Sequence, residues 1–158
     1  MIQTGKPIRW GILACGGIAT KFADDLLHAK NGYLAAVSSR DLGRAKAFAA
    51  NYGADVKGYG SYEEMLASGE IDVVYIASPH GLHYEHTMLC LEAGVHVLCE
   101  KAFAINSKQV NAMIAKAREK KLFLMEALWT RFHPSVAKLQ EIIASGLIGD
   151  IKHVVADF

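Results

Sequence analysis

The sequence is poor in cysteine: its 158 residues include Cys15, Cys90 and Cys99, an odd number at wide spacing with no Cys-x-x-Cys pair. That pattern supports neither a disulfide framework nor a cysteine-based zinc site, and the three are expected to serve as small buried apolar residues. An excess of charge is missing too, since 17 Lys and Arg stand against 16 Asp and Glu for a formal net charge of +1, without any basic block. Nothing in that balance points to nucleic acid or an anionic membrane surface, and small molecules are the expected partners. No apolar run approaches the roughly 20 residues of a membrane span. Met1 to Pro7 lack the apolar centre of a secretion signal, so a soluble, cytoplasmic protein is expected. Low-complexity segments and obvious linkers are absent as well, and a hydrophobic fraction of 52% is enough for a sizeable core.

What the sequence does contain is organised around Ile8 to Asp25, IRWGILACGGIATKFADD. A short apolar run of Ile8, Trp10, Ile12 and Leu13 passes through Ala14-Cys15 into Gly16-Gly17, and Ile18-Ala19-Thr20 opens a helix. A strand, a tight turn and a helix in that order bring free backbone N–H groups and the positive end of a helix dipole to one point, which suits a diphosphate. The dinucleotide fingerprint asks for glycine at its first, third and sixth positions, and here those positions are Ala14, Gly16 and Ala19. With alanine first, the turn is expected to form without positive φ there, or with Gly16 and Gly17 absorbing it. Cys15, Gly16, Gly17, Ile18 and Ala19 are the candidate diphosphate residues.

A second strand, Tyr33 to Ser38, runs into Ser38-Ser39-Arg40. In a dinucleotide fold an acid at this point binds the ribose 2′-hydroxyl, whereas a 2′-phosphate calls for hydroxyl donors and a guanidinium. Ser38, Ser39 and Arg40 therefore point to NADP rather than NAD. A helix over Leu42 to Tyr52 stops at Gly53, a weak strand falls near Asp55 to Gly58, and Ser61 caps a helix to which no functional role is assigned. Ile71 to Ala77 is almost continuously apolar, as a central parallel strand must be, and ends in Ser78-Pro79-His80. A helix over Leu82 to Glu92 with Leu82 and Leu89 inward follows, then a strand over Val95 to Cys99 ending in Glu100-Lys101. Ser107 is expected to cap a helix through Lys120, and Leu122 to Met125 forms a sixth strand.

This alternation predicts an α/β fold, a Rossmann-type doubly wound parallel sheet over residues 1–134, with ligand residues at the carboxyl ends of the strands. Beyond Pro134 the pattern changes to an amphipathic helix over Ser135 to Ser145 and an alternating strand over Ile151 to Phe158 with no partner. Residues 135–158 are thus expected to begin a truncated second α/β domain. His80, His83 and His86 recur every third residue, but the spacing is not His-Glu-x-x-His and no partner completes a site, so no metal is expected.

The Glu100-Lys101 pair with Asn106 after it, the segment Ala77 to Thr87 (ASPHGLHYEHT) and the segment Met125 to Pro134 (MEALWTRFHP) resemble the Gfo/Idh/MocA family of NAD(P)-dependent oxidoreductases. Within that family the likeness is to the branch of dimeric dihydrodiol dehydrogenases and NADP-dependent D-xylose dehydrogenases. The family's Glu-Lys-Pro stands here as Glu100-Lys101-Ala102. The resemblance implies that Lys101 is the catalytic lysine at the reacting hydroxyl or carbonyl. It also implies that Pro79 and His80 lie beside the pyrophosphate and nicotinamide with His83 near the same loop, that Glu100 holds the nicotinamide side, and that Trp129 and Arg131 pack around the cofactor. The implied activity is hydride transfer between nicotinamide and a carbinol carbon of a sugar or cyclic diol, in a homo-oligomer whose substrate pocket and subunit contacts come from a C-terminal domain. The alternative is a cofactor-binding redox sensor without catalysis, against which Lys101 argues, since a sensor needs no general acid. A third reading is a fragment without measurable cofactor binding, prone to self-association through the edge of its terminal strand.

Overall fold

The structure, a computed structural model, describes residues 5–157, which fall into two compact units, one ending at Ala127 and one starting at Leu128. The first unit holds six strands: β1 (Ile8–Leu13), β2 (Gly32–Ser38), β3 (Lys57–Tyr59), β4 (Val73–Ile76), β5 (His96–Glu100) and β6 (Leu124–Ala127). All pairings are parallel, in the order β3-β2-β1-β4-β5-β6. The helices between them are α1 (Gly17–Leu26), α2 (Leu42–Ala50), α3 (Tyr62–Ala67), α4 (His83–Glu92) and α5 (Ser107–Lys120). The direction of the strand order reverses at β1 and β4, so the loops after them open a crevice at the carboxyl edge of the sheet.

Two cores form because side chains alternate along a strand. Ile12 and Tyr75 pack with Ala19, Ala23 and Leu26 of α1 and Ala45 and Ala49 of α2 on one face. Leu13, Val74, Ile76, Val97 and Cys99 pack with Met65 and Leu66 of α3, Cys90 and Leu91 of α4 and Ala117 of α5 on the other. The β1–β2 register slips between Trp10, opposite Leu34, and Gly11, opposite Ala36, leaving Ala35 as an extra residue. Consequently Leu34 and Val37 share one core although they are an odd number of residues apart. Gly58 lies against the α2 backbone, where a Cβ would come within 2.7 Å of the Lys46 amide nitrogen.

Several boundaries differ from the sequence expectation. The cap of α5 is Asn106, whose side chain accepts from the Gln109 amide at 2.9 Å, rather than Ser107. Both are good capping types, but Asn106 has the extended backbone a cap requires. The inward face of α4 carries His83, Thr87, Cys90 and Leu91, whereas Leu82 and Leu89 are only half-buried. Cys90 and Cys99 are buried as expected, while Cys15 is half-buried at the edge of the first turn. Ser61 caps α3 as expected, accepting from the Glu64 amide at 3.0 Å.

In the second unit a 3-10 turn, Trp129–Phe132, precedes α6 (Pro134–Ala144), whose first turn holds Pro134. Residues 151–157 form no strand, contrary to the alternating pattern; a strand is held by hydrogen bonds to a neighbour, and none of the described residues provides one. Phe158 lies outside the described residues. No helix among the described residues is long and apolar enough to cross a membrane.

Candidate active site at the carboxyl edge of the sheet

β1 ends at Leu13, and the next amide, that of Ala14, donates to the Ser38 carbonyl at 3.0 Å. Ala14 itself takes the left-handed conformation, φ +75°, so the turn does not avoid positive φ and the glycines do not absorb it. The Ala14 amide bond holds that residue in place, and Gly16 is left with φ −107° as the cap of α1. Gly16 carries no capping side chain, so the first-turn N–H groups of α1 have no side-chain acceptor. A Cβ built on Gly16 or Gly17 would meet nothing within 4 Å, so the space above this turn is open. Unmet donors facing open space at a helix N-terminus fit an anionic group such as a diphosphate.

The space is a cleft of about 720 Å³ whose lining includes Cys15, Gly16, Gly17, Ile18, Ser39, Arg40, Ser78, Pro79 and His80. Nine predicted site residues from three separate loops therefore meet at one surface, because parallel β1, β2 and β4 end side by side. Ala19 and Ser38 lie beneath it, fully buried: Ala19 lets α1 approach the sheet, and Ser38 Oγ donates to the Ile12 carbonyl at 3.3 Å. Six further lining residues, Ala14, Arg44, Tyr62, Ala77, Leu82 and His86, were not among the expected cofactor residues. Tyr62 opens α3, the helix to which no functional role was assigned.

The end of the cleft near β2 is cationic. Arg40 and Arg44 line it, and no carboxylate does so among the described residues. Asp41, the nearest acid in sequence, caps α2 by accepting from the Arg44 amide at 3.0 Å. The Cys15 thiol sits 3.6 Å from the Ser38 carbonyl, and burial pushes its pKa up to about 11 against the opposing pull of Arg44. It is an inert thiol at neutral pH.

His83 is fully buried beneath the loop after β4. Its Nε2 lies 2.8 Å from the Ser78 carbonyl and its Nδ1 2.7 Å from the Ala102 carbonyl, so it braces the loops after β4 and β5 rather than lining the cleft. Three residues on, His86 is half-buried with its Nδ1 2.8 Å from Ser78 Oγ and its ring edge-on to Tyr62 at 4.9 Å. Burial holds its imidazolium form in check, lowering its pKa.

At the end of β5, Glu100 accepts from the Tyr75 hydroxyl at 2.5 Å and from the Lys101 amide at 3.1 Å. The Tyr75 ring is stacked on Phe22 at 3.9 Å, and burial together with Glu100 raises its pKa strongly. The Lys101–Ala102 peptide is cis, and the Phe103 amide donates to Glu126 on β6 at 2.9 Å. This loop leaves the Lys101 side chain exposed, with no ion pair among the described residues. Trp129 and Arg131 belong to the second unit, where the Trp129 ring meets His133 edge-on at 5.9 Å.

A second concavity of about 820 Å³ opens at the amino ends of the strands and includes Lys6, Arg9, Asp72 and His96. Its arginine is already committed: Arg9 grips both oxygens of Asp72, at 2.7 and 3.2 Å, and the Gly69 carbonyl at 2.8 Å. Ligands of doubly wound sheets bind at the opposite edge, where the open glycine turn lies.

A doubly wound parallel sheet with an uncapped helix N-terminus at its switch point defines the first unit as a dinucleotide-binding domain of the Rossmann type. The chain belongs to the Gfo/Idh/MocA family: residues 8–128 match that oxidoreductase family, described as having an NAD-binding Rossmann fold. It is 44% identical to the NADP(+) D-xylose 1-dehydrogenase of Hypocrea jecorina, over 99% of this chain and 43% of that protein. It is likewise 44% identical to the human trans-1,2-dihydrobenzene-1,2-diol dehydrogenase, over 96% of this chain and 46% of that protein. Among solved structures it resembles a 3-ketoreductase from Actinomadura kijaniata in complex with NADP, with a TM-score of 0.85 and 34% identity, over 93% of this chain and 47% of that one. The chain thus spans less than half the length of these relatives.

Proposed function

We propose that the cleft binds NADP(H), with the diphosphate on the Gly16-Gly17 turn and the 2′-phosphate on Ser39, Arg40 and Arg44. The observation that carries this reading is the composition of the β2 end of the cleft, two guanidiniums with no lining carboxylate. A ribose diol is ordinarily held by an acid there, while a phosphate dianion is held by guanidinium forks. The NADP named for the xylose dehydrogenase and the ketoreductase supports the same preference.

We further propose that Lys101 is the acid-base residue of a dehydrogenase acting on a sugar or cyclic diol, the substrate types named for the two curated relatives. When bound, the nicotinamide supplies the hydride acceptor or donor. With that group bound, unprotonated Lys101 Nζ would take the hydroxyl proton as a carbinol carbon gave up hydride, and in reduction the lysine would return that proton to the carbonyl oxygen. Glu100, fixed through Tyr75 and the Lys101 amide, sets where the lysine's backbone stands, and His83 fixes the following residue.

The test is nicotinamide absorbance with D-xylose and with a trans-dihydrodiol as substrates, comparing the parent protein with Lys101→Ala. Removal of a general acid-base should lower turnover by roughly 10²- to 10⁴-fold while NADPH affinity stays the same. Undiminished turnover would remove Lys101 from the chemistry, and a parallel loss of NADPH affinity would make it a binding residue instead.

A further inference from the structure

Resting on the reading that NADP(H) occupies the cleft, we propose that His86 is a cofactor-specificity residue: docking of a 2′-phosphate on Arg40 and Arg44 makes His86 take up a proton, and that proton strengthens binding of the phosphorylated cofactor over the unphosphorylated one.

His86 lines the same cleft as Arg40 and Arg44, although it stands on α4 and they stand on the loop after β2 and on α2. Its Nδ1 is committed to Ser78 Oγ at 2.8 Å, and the Tyr62 ring meets its own ring edge-on at 4.9 Å. Its Nε2 has no partner among the described residues and is not sealed from solvent. A donor or acceptor fixed at one nitrogen and free at the other, within the lining of an anion cleft, is placed to respond to charge there.

The groups around it set the sign. Besides burial, His83 on its own helix and Arg40 across the cleft disfavour the imidazolium, while Glu85 on its own helix and Glu63 on α3 favour it. Arg44, His80 and the Cys15 thiol complete the titratable lining, with Tyr62 from α3. A phosphate dianion on Arg40 cancels that guanidinium's repulsion and adds negative charge beside the cleft, so the protonated ring becomes more favourable in the complex than in the free protein. Linkage then requires the affinity for NADPH to rise as pH falls through the range of a histidine. The cofactor's own phosphate, with a second ionisation near about 6, works in the opposite sense, because guanidinium partners prefer the dianion. It cannot imitate the effect.

The experiment is a fluorescence titration of the chain with NADPH and NADH at about pH 6 and about pH 8, for the parent, His86→Asn and His86→Gln. The parent should bind NADPH roughly fivefold more tightly at the lower pH, at the small end of ordinary site-to-site coupling. NADH affinity should stay flat, and both variants should lose the NADPH slope. Should the variants not fold, the imidazole NMR titration of the parent still decides, since the midpoint of His86 must move up on adding NADPH. An NADPH slope that survives in His86→Asn, an equal slope for NADH, or an unmoved midpoint would overturn the inference while leaving the cofactor reading intact. A folded parent that binds no NADPH at either pH would overturn both.

Discussion

The hydroxyl of Tyr75 on β4 and the carboxylate of Glu100 at the end of β5 are 2.5 Å apart, although they are separated by 25 residues. Parallel pairing sets Tyr75 opposite Leu98, two residues before Glu100, and the phenol reaches along the strand to the carboxylate beside Lys101. Tyr75→Phe keeps the ring and its stack on Phe22 but removes the donor. Loss of one hydrogen bond to a charged acceptor should lower stability by about 1.5–3 kcal/mol, and Glu100 is half-exposed, so the lower end is expected. Denaturant unfolding measures it; an unchanged midpoint would mean that Glu100 is held without Tyr75.

Ala14 carries backbone strain at a position where the dinucleotide fingerprint has glycine. A left-handed alanine costs about 1–2 kcal/mol, while glycine's greater freedom in the unfolded chain returns about 0.5–1 kcal/mol of that. Ala14→Gly should therefore melt slightly higher than the parent, and Ala14→Val should melt lower. A lower melting point for the glycine variant would show that the Ala14 methyl makes contacts worth more than its strain.

The fold and most of the site are legible in the sequence for one physical reason: a parallel strand announces itself by an apolar run, and glycine or a capping side chain marks where each helix stops or starts. Gly94, at φ +79° after α4, and Asn106 before α5 are such marks. Arg44, Tyr62 and His86 escape that reading because they stand on three different helices, and only the sheet order β3-β2-β1-β4 brings them together. The left-handed Ala14 escapes because alanine gives no local signal for that conformation. The alternating segment beginning at Ile151 shows the converse, a strand pattern that stays without a strand when no neighbour pairs with it.

Gly58 is the point where α2 rests directly on β3, with the Ala45 carbonyl carbon 2.8 Å from where a Cβ would stand. The obstacle is backbone, which cannot rotate away. Gly58→Ala should destabilise the domain by about 1–3 kcal/mol through overpacking. Because α2 carries Arg44, the same substitution should weaken NADPH binding, and circular dichroism melting alongside a titration separates the two effects.

Arg9 and Asp72 clasp the opposite edge of the sheet, and Asp72 also accepts from the Arg9 amide at 2.8 Å. The hydrogen bonds from Arg9 outweigh partial burial and hold the Asp72 carboxyl below its ordinary pKa. A carboxylate with a depressed folded pKa contributes stability above its unfolded value, about 3.9, and that contribution is lost as pH falls through the folded value. Asp72→Asn should cost about 1 kcal/mol at neutral pH, allowing for solvent screening of a pair that is about a third exposed. In acid, below the depressed folded value, parent and variant should converge; a difference that persists there would assign the effect to packing.

On the reading proposed above, a dinucleotide with a 2′-phosphate occupies the cleft between the glycine turn and Arg40. Fluorescence titration of the chain with NADPH and NADH, repeated with Arg40→Ala, decides it. NADPH should bind saturably and more tightly than NADH, with the preference reduced about tenfold or more on removing the guanidinium, as expected for a charge-assisted fork. Folded protein that binds neither nucleotide, or an NADPH preference untouched by Arg40→Ala, would contradict it.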